Sequence, residues 1–120
     1  MRYLILVGHD EKSSRTLTKE RHAQLFSDFQ QYHKDLRQAG LLLGGEALQP
    51  TTKGARIQVD AGKRRVIDGP FSESKEIIGG FFLIDVKSHA EAVEWAARCP
   101  AAHLGPWSYV ELRPVEEIPT

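Results

Sequence analysis

Four side chains able to exchange protons or hold charge crowd one short connection. They are Asp68, Glu73, Lys75 and Glu76, within "VIDGPFSESKEIIGG" between two apolar runs. A carboxylate screened by aromatic rings has its pKa adjusted by burial and can serve as a general base. Read this way, Asp68 is the base, Lys75 holds an anion, and Glu73, Phe71 and Phe81 line the binding site. The plainer reading is a solvated turn. An Asp before Gly-Pro often accepts backbone N–H bonds, and Ser72 followed by Glu73 suits the start of a short helical turn.

The histidines offer a partner for Asp68. His22 and His33 lie on one predicted helix, roughly 16 Å apart along its axis, too far to share a metal ion. His33 falls with Phe26, Phe29 and Leu36 on the apolar stripe, so it faces the sheet as an acid or an orienting group, or simply as a hydrogen-bonded core residue. His9 ends the first strand and His103 precedes the last; both can approach a cleft mouth, and nothing in the sequence brings them together. The single cysteine, Cys99, excludes an internal disulfide and fits a small, half-buried place at a helix end. Trp95 and Trp107 read as packing residues, with Trp107 after Pro106 also able to rim a pocket. No phosphate loop, dinucleotide fingerprint, nucleophile elbow, zinc signature or EF-hand loop is found, so the site is expected to need no cofactor and no metal.

The elements that must position these groups follow from hydrophobic period. "YLILVGH" (3–9) is a strand with apolar residues in both alternating sets, and 10–18 is a polar loop. Residues 19–39 carry apolar groups at helical spacing and stop at Gly40. A second strand, 41–50, is interrupted at Gly44–Gly45. "RIQVD" and "RRVID" form a hairpin that directs Ile57, Val59 and Val66 to apolar surface. A strand over 80–86 is followed by the capping box "SHAE" (88–91), a helix ending before Pro100, and a last strand over 107–115. The order is that of a ferredoxin-like α+β fold, βαββαβ with an extra hairpin, in a single domain over 1–120.

Lys plus Arg equals Asp plus Glu at 16 each, so no overall field draws the chain to nucleic acid or acidic lipid. The basic run "GKRRV" is read as a solvated turn. The N-terminal apolar run lacks a cleavage signature and no run reaches membrane-spanning length, which makes the expected location cytoplasmic.

Two helices cover one face of such a sheet. Leu4 and Leu6 oppose Tyr3, Ile5 and Val7 on the first strand, and Phe81 and Leu83 oppose Phe82 and Ile84 on the later one. A bare face of this kind is rare on a stable monomer. Covering several hundred Å² at about 25 cal/mol per Å² contributes many kcal/mol before association costs. The pattern therefore predicts a homodimer with sheets face to face, a dimeric α/β barrel; the rival is a monomer with its loops folded over that face.

The run "DGPFSESKEIIGGFFLIDVKSHAEAVEWAARCP" closely resembles the signature of the DGPF proteins, a branch of the YCII-related family. The resemblance rests on Asp68–Phe71, Gly79–Phe81, Glu94–Ala97 and Pro100, with "GLLLGGEALQP" (40–50) in support. It implies the same ferredoxin-like fold and dimeric barrel. It also implies an unassigned biochemical role, often described as enzymatic, and frequent association with extracytoplasmic-function sigma factors. In the YCII family a first-helix histidine and an acidic residue are the suggested active pair. The position matching that histidine holds Asp28 here, with His22 and His33 on the same helix and Asp68 inside the matched motif. The expectation is a protein that binds a small molecule, or a cofactor-free enzyme acting on a small organic acid or ring compound. The alternative is a non-catalytic module working with a sigma factor.

Overall fold

The computed structural model describes residues 1–71 and 77–119. The chain opens with β1 (Arg2–His9) and then α1 (Glu11–Arg15), a short helix where a polar loop was expected. Its cause is local: the Asp10 carboxylate accepts from the Lys12 amide, a donor that a helix start leaves open, and also from the Ser13 hydroxyl. The long helix α2 (Lys19–Gln38) is capped by the Thr18 hydroxyl, which accepts from the Arg21 amide. It ends where Gly40 takes a positive φ of 74°.

Strand β2 (Leu42–Ala47), a 3-10 turn (Thr51–Lys53) and the hairpin β3 (Ala55–Asp60) and β4 (Lys63–Asp68) follow. β5 (Ile77–Asp85), α3 (His89–Ala97), a second 3-10 turn (Pro100–His103) and β6 (Ser108–Pro114) complete the described elements. The Ser88 hydroxyl accepts from the Glu91 amide at 3.1 Å, one half of the capping box read at 88–91.

Four strands form one antiparallel sheet in the order β2-β5-β1-β6, consistent with a ferredoxin-like α+β fold. Pairing of Tyr3 with Ile84, Ile5 with Phe82 and Ile5 with Leu112 puts these side chains on the helix-covered face. Pairing of Leu4 with Leu83 and Leu6 with Phe81 puts the second apolar set on the other face, where these residues are only half-buried. The described residues span 47 × 45 × 20 Å. A thickness of 20 Å accommodates one sheet and one helix layer standing about 10 Å apart, and no third layer.

The core lies between sheet and helices, with Ile5, Leu36, Ile84 and Cys99 fully buried. The helix face differs from the stripe expected over Leu25, Phe26, Phe29 and Leu36. Tyr32 and Leu36 are the buried residues of α2, whereas Phe26 is 67% exposed. At 3.6 residues per turn Phe26 sits about 80° around the axis from Leu36, enough to leave the sheet-facing sector. Both buried residues also belong to the C-terminal half of the helix, so the N-terminal half stands away from the sheet.

The hairpin is a second correction. Among the described residues β3 and β4 pair only with each other, as a separate two-stranded sheet, and every residue in them is exposed. Ile57 and Val59, expected against apolar surface, are 63% and 67% exposed. The hairpin is anchored at its base, where the Glu11 carboxylate accepts from both the amide and the hydroxyl of Thr51 at 2.8 and 2.6 Å. Those two bonds hold the Glu11 carboxyl below its ordinary pKa.

Candidate functional site

Because the N-terminal half of α2 stands off the sheet, a cavity of about 910 Å³ opens beneath it. Part of its floor is backbone. Gly45, Gly79 and Gly80 present no side chains there, and the strands are packed too closely to admit any: a Cβ on Gly80 would stand 2.9 Å from the Glu46 carbonyl oxygen. Gly79 is the extra residue where the β1–β5 register shifts, with Val7 opposite Gly80 and Gly8 opposite Ile78. Such a bulge bends the strand and re-aims its neighbours.

His9 takes the space thus vacated. Its imidazole lies over Gly79 so closely that a Cβ there would fall 2.5 Å from the ring Cε1 and 2.9 Å from Nδ1. Burial lowers the His9 pKa, against the smaller opposing pull of the Glu11 and Asp10 carboxylates. The ring is therefore neutral near pH 7, with a nitrogen lone pair available to accept a proton.

The roof comes from α2. Leu25, Phe26 and Phe29 supply apolar surface, while His33, Lys34 and Arg37 supply polar heads. His33 is half-buried and its ring tilts against Phe82 at 6.5 Å between centroids. His22 lines the outer part of the cavity and is exposed. Trp107 and Leu104 form the wall beside β6, so Trp107 does rim a pocket. Flat apolar surfaces, a bare floor, two cations and imidazoles suit a small planar anion. Among the described residues, no group of three or more His, Cys, Asp or Glu is placed to hold a metal ion.

The expected site residues are thus divided. The structure brings His33 and Phe81 to the cavity lining, although the pairing of Phe81 with Leu6 aims the Phe81 side chain at the sheet's other face. Asp68 ends β4 opposite Ala55, is exposed, and does not line this cavity. Phe71 is half-buried near it, with the Arg56 guanidinium 4.3 Å over its ring. Glu73, Lys75 and Glu76 lie outside the described residues. Of the other histidines, His103 turns its Nε2 to the Ala97 carbonyl at 2.6 Å, and His89 meets the Tyr3 hydroxyl at 3.2 Å. Cys99 is buried in the core, which pushes its thiol pKa up to about 11 and leaves it inert at neutral pH.

Sequence reasoning did not assign His9 to the site. The available signal was the pair Gly79–Gly80 at the start of an otherwise bulky strand, since two glycines there leave room for something to lie on the backbone. Which residue fills that room depends on strand pairing.

Among the described residues, no helix is long and apolar enough to cross a membrane. A YCII-related domain model matches residues 1–116. An uncharacterized protein of Rhizobium meliloti (strain 1021) is 36% identical over 115 residues, covering 96% of this chain and 92% of that protein. Neither match names a ligand or a reaction.

Proposed function

The chain belongs to the YCII-related family, and on that footing we propose that it binds a small organic acid or ring compound in the cavity beneath α2. It acts either as a cofactor-free enzyme or as a binding protein, of the DGPF type that the Asp68–Phe71 and Gly79–Phe81 motifs resemble. The observation that carries this reading is the cavity's composition. A volume of about 910 Å³ lies in the usual range for small-molecule sites, roughly 300–1,000 Å³. Its apolar rings and glycine floor fit a flat ligand, and Lys34 and Arg37 meet a carboxylate. His33 serves as an acid or an orienting group beside the ring.

The working form proposed is a homodimer. The sheet face bearing Leu4, Leu6, Phe81 and Leu83 has no helix over it among the described residues, and a second copy presents the same apolar face.

Thermal shift with benzoate, salicylate and phenylacetate tests the ligand class. A ligand at ten times its Kd adds about 1.4 kcal/mol of stability, enough to move the transition by several degrees. Arg37→Ala and Lys34→Ala are expected to weaken the response by about tenfold or more in Kd. Asp68→Asn, on the exposed hairpin, is expected to respond as wild type does, and a lost response would bring Asp68 into the site. If no ring acid stabilises the wild type, the reading fails and the non-catalytic module working with a sigma factor takes its place.

A further inference from the structure

His9, Gly79 and Trp107 form a corner of the cavity whose chemistry goes beyond holding an anion. We propose that His9 is the proton acceptor of this site, and that its substrate is a ring-bearing 2-oxo acid with an acidic C–H beside the carbonyl. This rests on the ring-acid reading above and adds a reaction to it.

Three observations converge on that corner. The Cε1–Nδ1 side of the imidazole abuts Gly79, which restricts the ring's position, while Nε2 stands farther from that backbone and His9 lines the cavity. No hydrogen bond to the ring is found among the described residues, so neither nitrogen is committed to a structural role. Charges that could fill a ligand's other end stand on the opposite element: Lys34 and Arg37 project from α2, while His9 belongs to β1. A carboxylate held by the cations and a flat ring under Phe26 and Phe29 would lead the carbon between them toward the β1 side.

The step is a proton transfer. A lone pair on an imidazole nitrogen takes the proton from the carbon next to the carbonyl. The released C–H electron pair becomes the C=C of the enolate, and the carbonyl electrons move to oxygen. The imidazolium then returns its proton to that oxygen, giving the enol, or to carbon, giving back the ketone. Atoms and electrons balance with no oxidant, reductant or co-reactant. Burial sets the direction of the His9 titration against the Glu11 and Asp10 carboxylates, and the other titratable groups lining the cavity are His22, His33, Lys34 and Arg37 on α2 and Glu46 on β2. The balance keeps the ring neutral at pH 7.

Phenylpyruvate carries the ring, the carboxylate and the acidic methylene, and is the probe. Loss of its methylene proton signal in deuterated buffer at neutral pD is followed by NMR, and its binding by Trp fluorescence, since Trp107 lines the cavity. Wild-type protein is expected to accelerate exchange over buffer by on the order of a hundredfold. The rate should rise with pD through an inflection below the ordinary histidine value and level off above it. His9→Gln is expected to retain binding within about threefold and to lose the acceleration and the inflection together. Gly79→Ala, whose methyl group occupies the place of the ring, is expected to lose exchange as His9→Gln does. If His9→Gln binds phenylpyruvate and still exchanges it at the wild-type rate, the role of His9 is overturned while the ring-acid site stands. If wild type neither binds nor exchanges phenylpyruvate while benzoate still binds, the substrate class falls. If it binds no ring acid at all, the proposal and the site fall together.

Discussion

The hydroxyl of Tyr32, on α2, donates to the main-chain carbonyl of Trp95, on α3, at 2.6 Å. The Tyr32 ring meets Phe82 edge-on at 5.1 Å, so one side chain joins both helices to the central strand of the core. It does so in the buried half of α2, opposite the end that stands away from the sheet.

Tyr32→Phe keeps the ring and deletes the bond. The Trp95 carbonyl still accepts from the Arg98 amide, so no acceptor is stranded. The expected cost is about 1 kcal/mol, a fall in Tm of about 4–8 °C by calorimetry, with ring-acid binding retained. A change within error would mean that the bond between the helices contributes nothing net.

Cys99 links stability to high pH. Its thiol has an ordinary value of 9.0, and burial raises it to about 11 in the fold. The unfolded chain therefore gives up this proton first as pH rises, and the folded state loses ground between pH 9 and about 11. A shift of that size corresponds to an order of 2–3 kcal/mol. Burial raises the Tyr32 hydroxyl in the same direction, steepening the fall at the upper end. Urea titrations at pH 8, 9, 10 and 11 are expected to show declining stability, and Cys99→Ala a shallower decline from a lower start. Equal slopes in both proteins would remove Cys99 as a cause.

Leu83 tests the second copy. It pairs with Leu4 on the open face, away from the cavity lining. Light scattering at micromolar concentration is expected to report twice the mass of one chain for wild type. Leu83→Glu places a charge where two apolar faces meet and is expected to give one chain mass with little change in the circular dichroism spectrum. A wild-type mass of one chain overturns the dimer.

Much of the architecture could be read along the chain because its causes are local. Alternation and apolar content mark β1 and β5, caps and period mark α2, and Ser88 with Glu91 marks the start of α3. The misreadings have one local cause and one at long range. Residues 11–15 look polar without the Asp10 cap geometry, and Ile57 and Val59 look like core residues until pairing shows that, among the described residues, β3 and β4 meet only each other.

The same division runs through the candidate site. Residue order alone established a ferredoxin-like α+β layout, two apolar sets on the central strands, and His33 on the helix face that meets the sheet, since each depends on spacing of a few residues. The cavity, and the placing of His9 in it, came from contacts across some seventy residues of chain. A register shift opposite Val7 and Gly8 makes Gly79 the bed for the imidazole, and α2, buried only in its C-terminal half, leaves the space above it open. Asp68 shows the converse: its motif is conspicuous in sequence, yet the hairpin that carries it folds outward and leaves it in solvent. Proximity in three dimensions follows from strand pairing and packing, and one-dimensional spacing holds no measure of either.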